Sequence, residues 1–457
     1  MNNEIYFDDS LPFFAARIQE KFGLQALQNN IFLRDAYGLL TFVVLDKALS
    51  GEERRAFSHK IHELMPRYTD PAGFAIVIPE EIFSDELYDL SYANKLELDH
   101  PYFKGDVLVH EKRIIGGDWI RKHSSGSPNK KTIVFSSIKG GVGRSTALCV
   151  AASHFCKKGY RVLAIDLDLE APGLGNMLLE PEVLPRFGLL DYLVEKNSGN
   201  LTSAFFLDCI GASWISEGKG RVDVVPAIGK SSLDYPYNVL GKISRAYMSK
   251  DDGAGSSQSF TDYIKSFIEQ FDDNRYDIIF VDARSGLHET TAAAIIGLDA
   301  EVFCFGTEQK QTISGYSLLF SHIAQFIPDK KNWLSKMHFV HAKSSIKNNK
   351  VFEEELLTLI NKTFGLVKNE VSIDVSPLKE TFDVDWVDDE SLVNVDIEDN
   401  ETINSIVHVL DDKNYQDFDP LLNKSLLSSS IYLSTYGSIL ERLQELCSDE
   451  LNTEDKK

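Results

Sequence analysis

Cysteine is scarce in this chain of 457 residues: five, at positions 149, 156, 209, 304 and 447, with no Cys-x-x-Cys spacing. That scarcity excludes a disulfide-framed scaffold and a cysteine-held metal cluster, and cysteines lying inside apolar runs read as core residues. Long hydrophobic runs are also missing, and no apolar stretch is of the length needed to span a bilayer. The opening Met1-Asn2-Asn3-Glu4 lacks the charged and apolar regions of a secretory leader. A cytoplasmic chain without a membrane partner is the expectation. Positive charge is in deficit: 47 Lys and Arg stand against 69 Asp and Glu, a net charge of −22. Residues 371–457 alone hold 21 acids against 6 bases. Such a field argues against nucleic acid and anionic lipid as partners, while leaving room for a local basic patch.

Glycine, by contrast, is concentrated where it carries meaning. Lys139-Gly140-Gly141-Val142-Gly143-Arg144-Ser145-Thr146 follows the β-prone run Thr132–Ser137 and precedes a helical pattern in Ala147, Leu148, Val150, Ala151 and Phe155. Strand, glycine-rich turn and helix start form the setting of a phosphate-binding loop. The glycines let backbone N–H groups approach phosphate oxygens without Cβ clashes, and the helix start aims its unpaired N–H groups at the same anion. Ser145 supplies a hydroxyl suited to Mg²⁺.

The run resembles the deviant Walker A loop of the ParA/MinD family, in the SIMIBI class of P-loop ATPases, whose pattern is Lys-Gly-Gly-x-Gly-Lys-[Ser/Thr]. The resemblance implies ATP and Mg²⁺ as ligands, with nucleotide contacts from Lys139, Gly140, Gly141, Val142, Gly143, Arg144, Ser145 and Thr146. It also implies an ATP-dependent homodimer in which Lys139 reaches the nucleotide of the opposite subunit. One departure stands out: Arg144 replaces the second lysine of the pattern. Its planar fork keeps the charge but not the compactness of an ammonium, so binding is expected to survive and the hydrolysis rate is open.

Two further segments end in acids. Val162–Asp168 closes with Asp166 and Asp168 at a strand's carboxyl end, the edge that faces the ligand crevice of a parallel sheet. By the resemblance, Asp166 belongs to the metal shell and Asp168 is the hydrolytic residue; the turn-rich run Leu169–Gly175 suits a switch segment. Tyr276–Asp282 looks like a Walker B strand, with Asp282 holding Mg²⁺. Arg284 follows it, placed either to stabilise charge on the γ-phosphoryl oxygens, in cis or across a dimer, or to pair with Glu289 or a neighbouring acid. The catalytic candidates are therefore Lys139, Asp168 and Arg284, and the metal candidates Ser145, Asp166 and Asp282. After Phe339–Lys343 no Asn matches the family's base contact, so adenine preference follows from the resemblance alone.

Three parts are expected along the chain. Residues 1–120 read as a small α/β unit of unknown role, with strands at Leu39–Asp46 and Gly73–Pro79 and helices at Phe13–Phe22 and Gly51–Met65. Its histidines 59, 62, 100 and 110 lack a metal spacing. Residues 121–131, with Ser124–Asn129 flanked by Arg121, Lys122, Lys130 and Lys131, read as a flexible basic linker. From 132 to 457 strands and helices alternate, which implies an α/β fold with a doubly wound, mostly parallel sheet. Ser249–Phe260 reads as an insertion, and Val351–Phe364 and Ile431–Leu446 as helices. The last has an apolar face for its own domain or a partner, and the acidic residues after it are the wrong sign for anionic lipid.

The expected function is a Mg-dependent ATPase acting as a nucleotide-driven dimerisation switch for an unidentified protein partner. The alternatives are a nucleotide-holding scaffold with little hydrolysis, motivated by Arg144, and a DNA-partitioning or phage-defence ATPase.

Overall fold

The computed structural model describes residues 4–45, 50–82, 93–113, 115–121, 131–196, 199, 201–215, 220–248, 250–251, 257–271, 275–345, 350–365 and 406–454. The linker residues Lys122, Ser124–Asn129 and Lys130, and the acidic stretch 366–405, lie outside the described residues.

The N-terminal unit is built on β1 (Ile31–Arg34), β2 (Leu40–Val43), β3 (Ile76–Val77), β4 (Asn94–His100) and β5 (Phe103–Glu111), in the order β3-β2-β1-β5-β4. Helices Phe7–Phe22 and Gly51–Leu64 are held by polar first turns. Asp9 accepts the Tyr6 N–H at 3.1 Å, and Ser50 and Glu53 form a reciprocal capping box. The first helix begins six residues before the expected Phe13, because Asp8-Asp9-Ser10 interrupt the apolar period while serving as its acidic first turn. Sequence reading missed the β4–β5 hairpin, whose core-facing residues are Leu96, Val107 and Val109.

The larger unit carries β6 (Lys131–Ser137), β7 (Arg161–Asp166), β8 (Gly211–Ala212), β9 (Arg221–Val225), β12 (Ile278–Ser285), β13 (Glu301–Gly306), β14 (Met337–Ser344) and β15 (Val407–Leu410). A separate two-stranded ribbon, β10 (Lys250–Asp251) with β11 (Ser257–Gln258), lies in the expected insertion. The main sheet runs β15-β14-β13-β6-β12-β7-β9-β8 and is parallel except at β8. Alternate residues of each strand enter opposite cores, as a two-residue period requires. Val134, Leu163, Ile165, Ile279 and Val281 face the core under helices Phe260–Glu269, Lys310–Phe326 and Lys350–Phe364. Ile133, Phe135, Val162, Ala164, Ile278 and Phe280 face the core under helices Arg144–Lys157 and Ser429–Glu454. This is the doubly wound, mostly parallel α/β fold.

Helix Ser429–Glu454 packs on its own domain, burying Tyr432, Tyr436, Ile439, Leu440 and Leu443. Each such side chain contributes about 1.5–3 kcal/mol relative to exposure. Among the described residues no helix is long and apolar enough to cross a membrane.

The two units meet through a short crossing segment. Gly117–Trp119 forms a 3₁₀ turn whose Trp119 joins the larger unit's core. Its carbonyl accepts from the His322 ring at 2.8 Å. Asp118 accepts from the Thr261 N–H at 3.0 Å and donates its own N–H to Glu289 at 3.3 Å.

Candidate nucleotide-binding site

β6 lies at the centre of the sheet. The chain leaves it to β7 on one side, while β13, β14 and β15 fill the other, which opens a crevice at its carboxyl end. The loop after β6 enters that crevice. Gly141 and Gly143 have φ of +74° and +86°, in the left-handed region that favours glycine. Gly143 caps helix Arg144–Lys157, whose first turn has no acid to compete with an incoming anion. The helix is buried almost all round, from Thr146 to Cys156, so its start is fixed against the sheet.

Side chains from the carboxyl ends of β6, β7 and β12 and from the start of helix Arg144–Lys157 meet there. Asp282, 2 % exposed, lies near the end of the buried part of β12, which closes at Ala283. One of its oxygens accepts from the Arg144 Nε at 2.6 Å, and the other accepts from the Ser145 hydroxyl at 2.5 Å. A second guanidinium nitrogen of Arg144 lies 3.7 Å from Asp168, and a third lies 3.4 Å from the Ser137 hydroxyl. The arginine thus bridges the acids of β12 and of the β7 loop from the end of the glycine-rich turn.

Asp166 is wholly buried at the end of β7. Its carboxylate accepts three backbone N–H groups, from Asp168 at 3.0 Å, Gly173 at 3.2 Å and Leu174 at 3.1 Å. It therefore shapes the following loop as well as charging the crevice. Burial, then the nearby Asp282 carboxylate, pushes its pKa up to about 7 against the opposing backbone donors. Asp168 is also raised, burial outweighing the attraction of Arg144. Its other oxygen accepts the Ala171 N–H at 3.2 Å.

Lys139 stands apart from this cluster and donates to the side chain of Gln309, just ahead of helix Lys310–Phe326. That helix approaches the loop closely: a Cβ on Gly315 would lie 2.1 Å from a methyl of Ile138. Gly140 faces Ser285, and Val142 is buried beneath the turn.

Arg284 pairs with Glu170, not with Glu289. Glu170 also lies 3.4 Å from the His288 Nε2 and accepts the Tyr247 hydroxyl. Burial lowers the His288 pKa despite that carboxylate, and burial with donation to Glu170 raises that of Tyr247. Sequence reading missed this cluster. Glu170 lay in plain sight two positions after Asp168, but Tyr247 comes from a helix end with no motif. Glu289 is instead buried beside Asp118, and its pKa is raised by that burial first.

A parallel sheet with a glycine-rich loop at its switch point, facing two acid-tipped strands, has the form of a P-loop domain, and the loop resembles the ParA/MinD type. Residues 130–177 match a family model described as an AAA domain. No curated protein matches the chain. Three solved structures resemble it. A plasmid partition protein from Borrelia burgdorferi bound to AMPPNP has 18 % identity and a TM-score of 0.40, over 69 % of this chain and 98 % of that one. A ParA family ATPase from Chlorobium tepidum has 16 % identity and a TM-score of 0.41, over 68 % and 98 %. The cell division ATPase MinD of Pyrococcus furiosus has 16 % identity and a TM-score of 0.41, over 69 % and 99 %.

Proposed function

We propose that the chain is an ATP-binding, Mg²⁺-dependent ATPase acting as a nucleotide-driven dimerisation switch for a protein partner. The observation that carries the reading is the meeting of Ser145 and Arg144 on the two oxygens of Asp282, with Asp166 and Asp168 beside them. The donors are hard oxygens, a serine hydroxyl and carboxylates, which suits Mg²⁺. Ser145 and Asp282 would hold the ion, with the Asp166 charge behind them, and when bound it would neutralise charge on the phosphates. The N–H groups of residues 140–146 cradle the phosphates, and Arg144 turns from the acids to the anion. Asp168, tethered at one oxygen by Ala171, orients the attacking water with the other. The chemistry is phosphoryl transfer to water, achieved by positioning and charge neutralisation. By its place in the ParA/MinD pattern, Lys139 exchanges Gln309 for the nucleotide of a second subunit.

Phosphate release from wild type, Lys139→Ala and Asp168→Ala, with size measurement in the presence and absence of ATP, tests the reading. Dimerisation with ATP and loss of turnover in both variants are expected. Equal rates in all three proteins would dispose of the site.

One observation favours the slow-turnover scaffold as a second reading. Arg144 is committed to two of the acids the reaction needs, with its side chain only 10 % exposed. ATP-dependent dimerisation without turnover in wild type, with turnover gained in Arg144→Lys, would select it.

A further inference from the structure

Two strands beyond β6, at the same carboxyl edge, lies a cluster with no part in phosphate chemistry. β14 and β15 run parallel with His341 and His408 as register partners, so both imidazoles leave the same face of the sheet. Helix Lys350–Phe364 covers that face. Its Phe352 packs on His341 with ring centroids 4.7 Å apart, and its Glu353 approaches His408 Nε2 to 3.2 Å. Phe352 can sit so low because Gly306 has no side chain; a Cβ there would lie 2.8 Å from the ring.

We propose that His341, Glu353 and His408 form a site for a divalent transition-metal ion, Zn²⁺ being the best match. Their ligand atoms all lie within 4.8 Å of one another. Zn²⁺ takes imidazole nitrogen and carboxylate oxygen at about 2.0–2.2 Å, which sets neighbouring donors roughly 3.3 Å apart in a tetrahedron. The His408–Glu353 pair, at 3.2 Å, already has that spacing, and the third donor, within 4.8 Å of both, needs a shift of at most about 1.5 Å.

One polar atom otherwise lacks a reason for being buried: His341 is 1 % exposed, and among the described residues its Nδ1 has no hydrogen-bond partner. A buried unpaired ring nitrogen is costly, and a bound ion removes that cost. Glu308, with an oxygen 3.6 Å from His341 Nε2 and a side chain 44 % exposed, stands beside the histidine as a further negative charge. Two histidines and a carboxylate are a borderline donor set, which favours Zn²⁺ or Co²⁺ over the Mg²⁺ of the phosphate site.

The position suggests what the ion does. β14, the helix after it and β15 supply one ligand each, and β15 is the outermost strand, reached only after the acidic stretch 366–405. An ion held by all three elements fastens the edge strand to the fold.

The experiment uses the full chain, stripped with EDTA, dialysed and saturated with Mg·ADP so that the phosphate site is filled. Zn²⁺ alone is titrated against a chromophoric chelator, and Co²⁺ alone is followed by its visible absorption. Wild type should take up one tight equivalent, give the intense spectrum of four-coordinate Co²⁺, and melt at higher temperature with Zn²⁺. Glu353→Gln and His408→Ala should each weaken Zn²⁺ at least 100-fold and lose the thermal shift. Glu353 is part-exposed, so Glu353→Gln reports even if His408→Ala misfolds, and far-ultraviolet circular dichroism checks both. Wild type without a tight equivalent, or Glu353→Gln binding as wild type does, overturns the proposal.

Discussion

Asp166→Asn tests the electrostatics of the crevice without nucleotide or metal. The Asp166 pKa is raised to about 7 in the folded chain, by burial and then by Asp282, and an unfolded chain returns it to the ordinary carboxylate value near 4. Between those values the folded state holds the extra proton. Its contribution to stability is complete below about pH 4 and is lost at about 1.4 kcal/mol per pH unit until pH 7, above which the slope vanishes. Asparagine has no such proton. It keeps one acceptor oxygen, enough for Gly173 and Leu174 or for Asp168 but not for all three N–H groups. The stranded N–H costs about 1–3 kcal/mol at every pH. Relative to wild type, the variant should therefore gain roughly 3 kcal/mol between pH 5 and pH 8, less stable at the first and equal or more stable at the second. Urea unfolding in EDTA measures this, with Trp119, Trp214 and Trp333 in or against the cores of this domain as reporters. Stability curves for the two proteins that run parallel from pH 5 to pH 8 would refute the assignment of a buried, charge-crowded carboxyl at this position.

Arg144→Lys should raise phosphate release at least tenfold, a barrier change of about 1.4 kcal/mol, because a point ammonium binds phosphate without spanning Asp282 and Asp168; single-turnover assays read it directly. Arg284→Ala should lower kcat by about 10³-fold with nucleotide affinity unchanged if the arginine leaves Glu170 for the transferring phosphoryl group. An unchanged kcat would leave Arg284 with only its ion pair. Leu443→Ala removes a fully buried side chain of helix Ser429–Glu454. It should cost about 2–5 kcal/mol, seen as a lowered thermal midpoint in the absence of nucleotide.

The parts of this molecule legible in the sequence were those where local pattern and tertiary role agree. β6, β7, β12, β13 and β14 are short apolar runs buried on both faces, and such runs stand out from their flanks. The glycines of the loop were legible because positive φ admits few other residues. β15 was not: Val407-His408-Val409-Leu410 is a strand only because β14 offers an edge to pair with. Likewise β3 shrinks to Ile76–Val77 from the longer run expected, since a parallel partner is present for two residues only. Side-chain pairing was the least legible part. Arg284 had two acids within reach in sequence, and the loop shaped by Asp166 delivers Glu170 to it, while Glu289 is taken by the segment leaving the N-terminal unit.

That last contact ties the two units of the chain to the crevice. Eight residues, 282 to 289, carry the acid paired with Ser145 and Arg144, the arginine paired with Glu170, the histidine beside Glu170, and the carboxylate that accepts the Asp118 N–H. The Leu167 N–H is bonded to the Asp282 carbonyl at 3.0 Å and the Gly286 N–H to that of Ser137 at 2.9 Å, so both ends of the Asp282–Gly286 stretch are fastened to neighbouring strands. Asp118 is fastened in turn to the start of helix Phe260–Glu269. A backbone shift at Arg284 would therefore bend the chain between Gly286 and Glu289 or strain the buried Asp118–Glu289 bond. The first deforms only the crevice; the second reaches the N-terminal unit through a few packed residues, a physical connection of the kind that coupling between separate units requires.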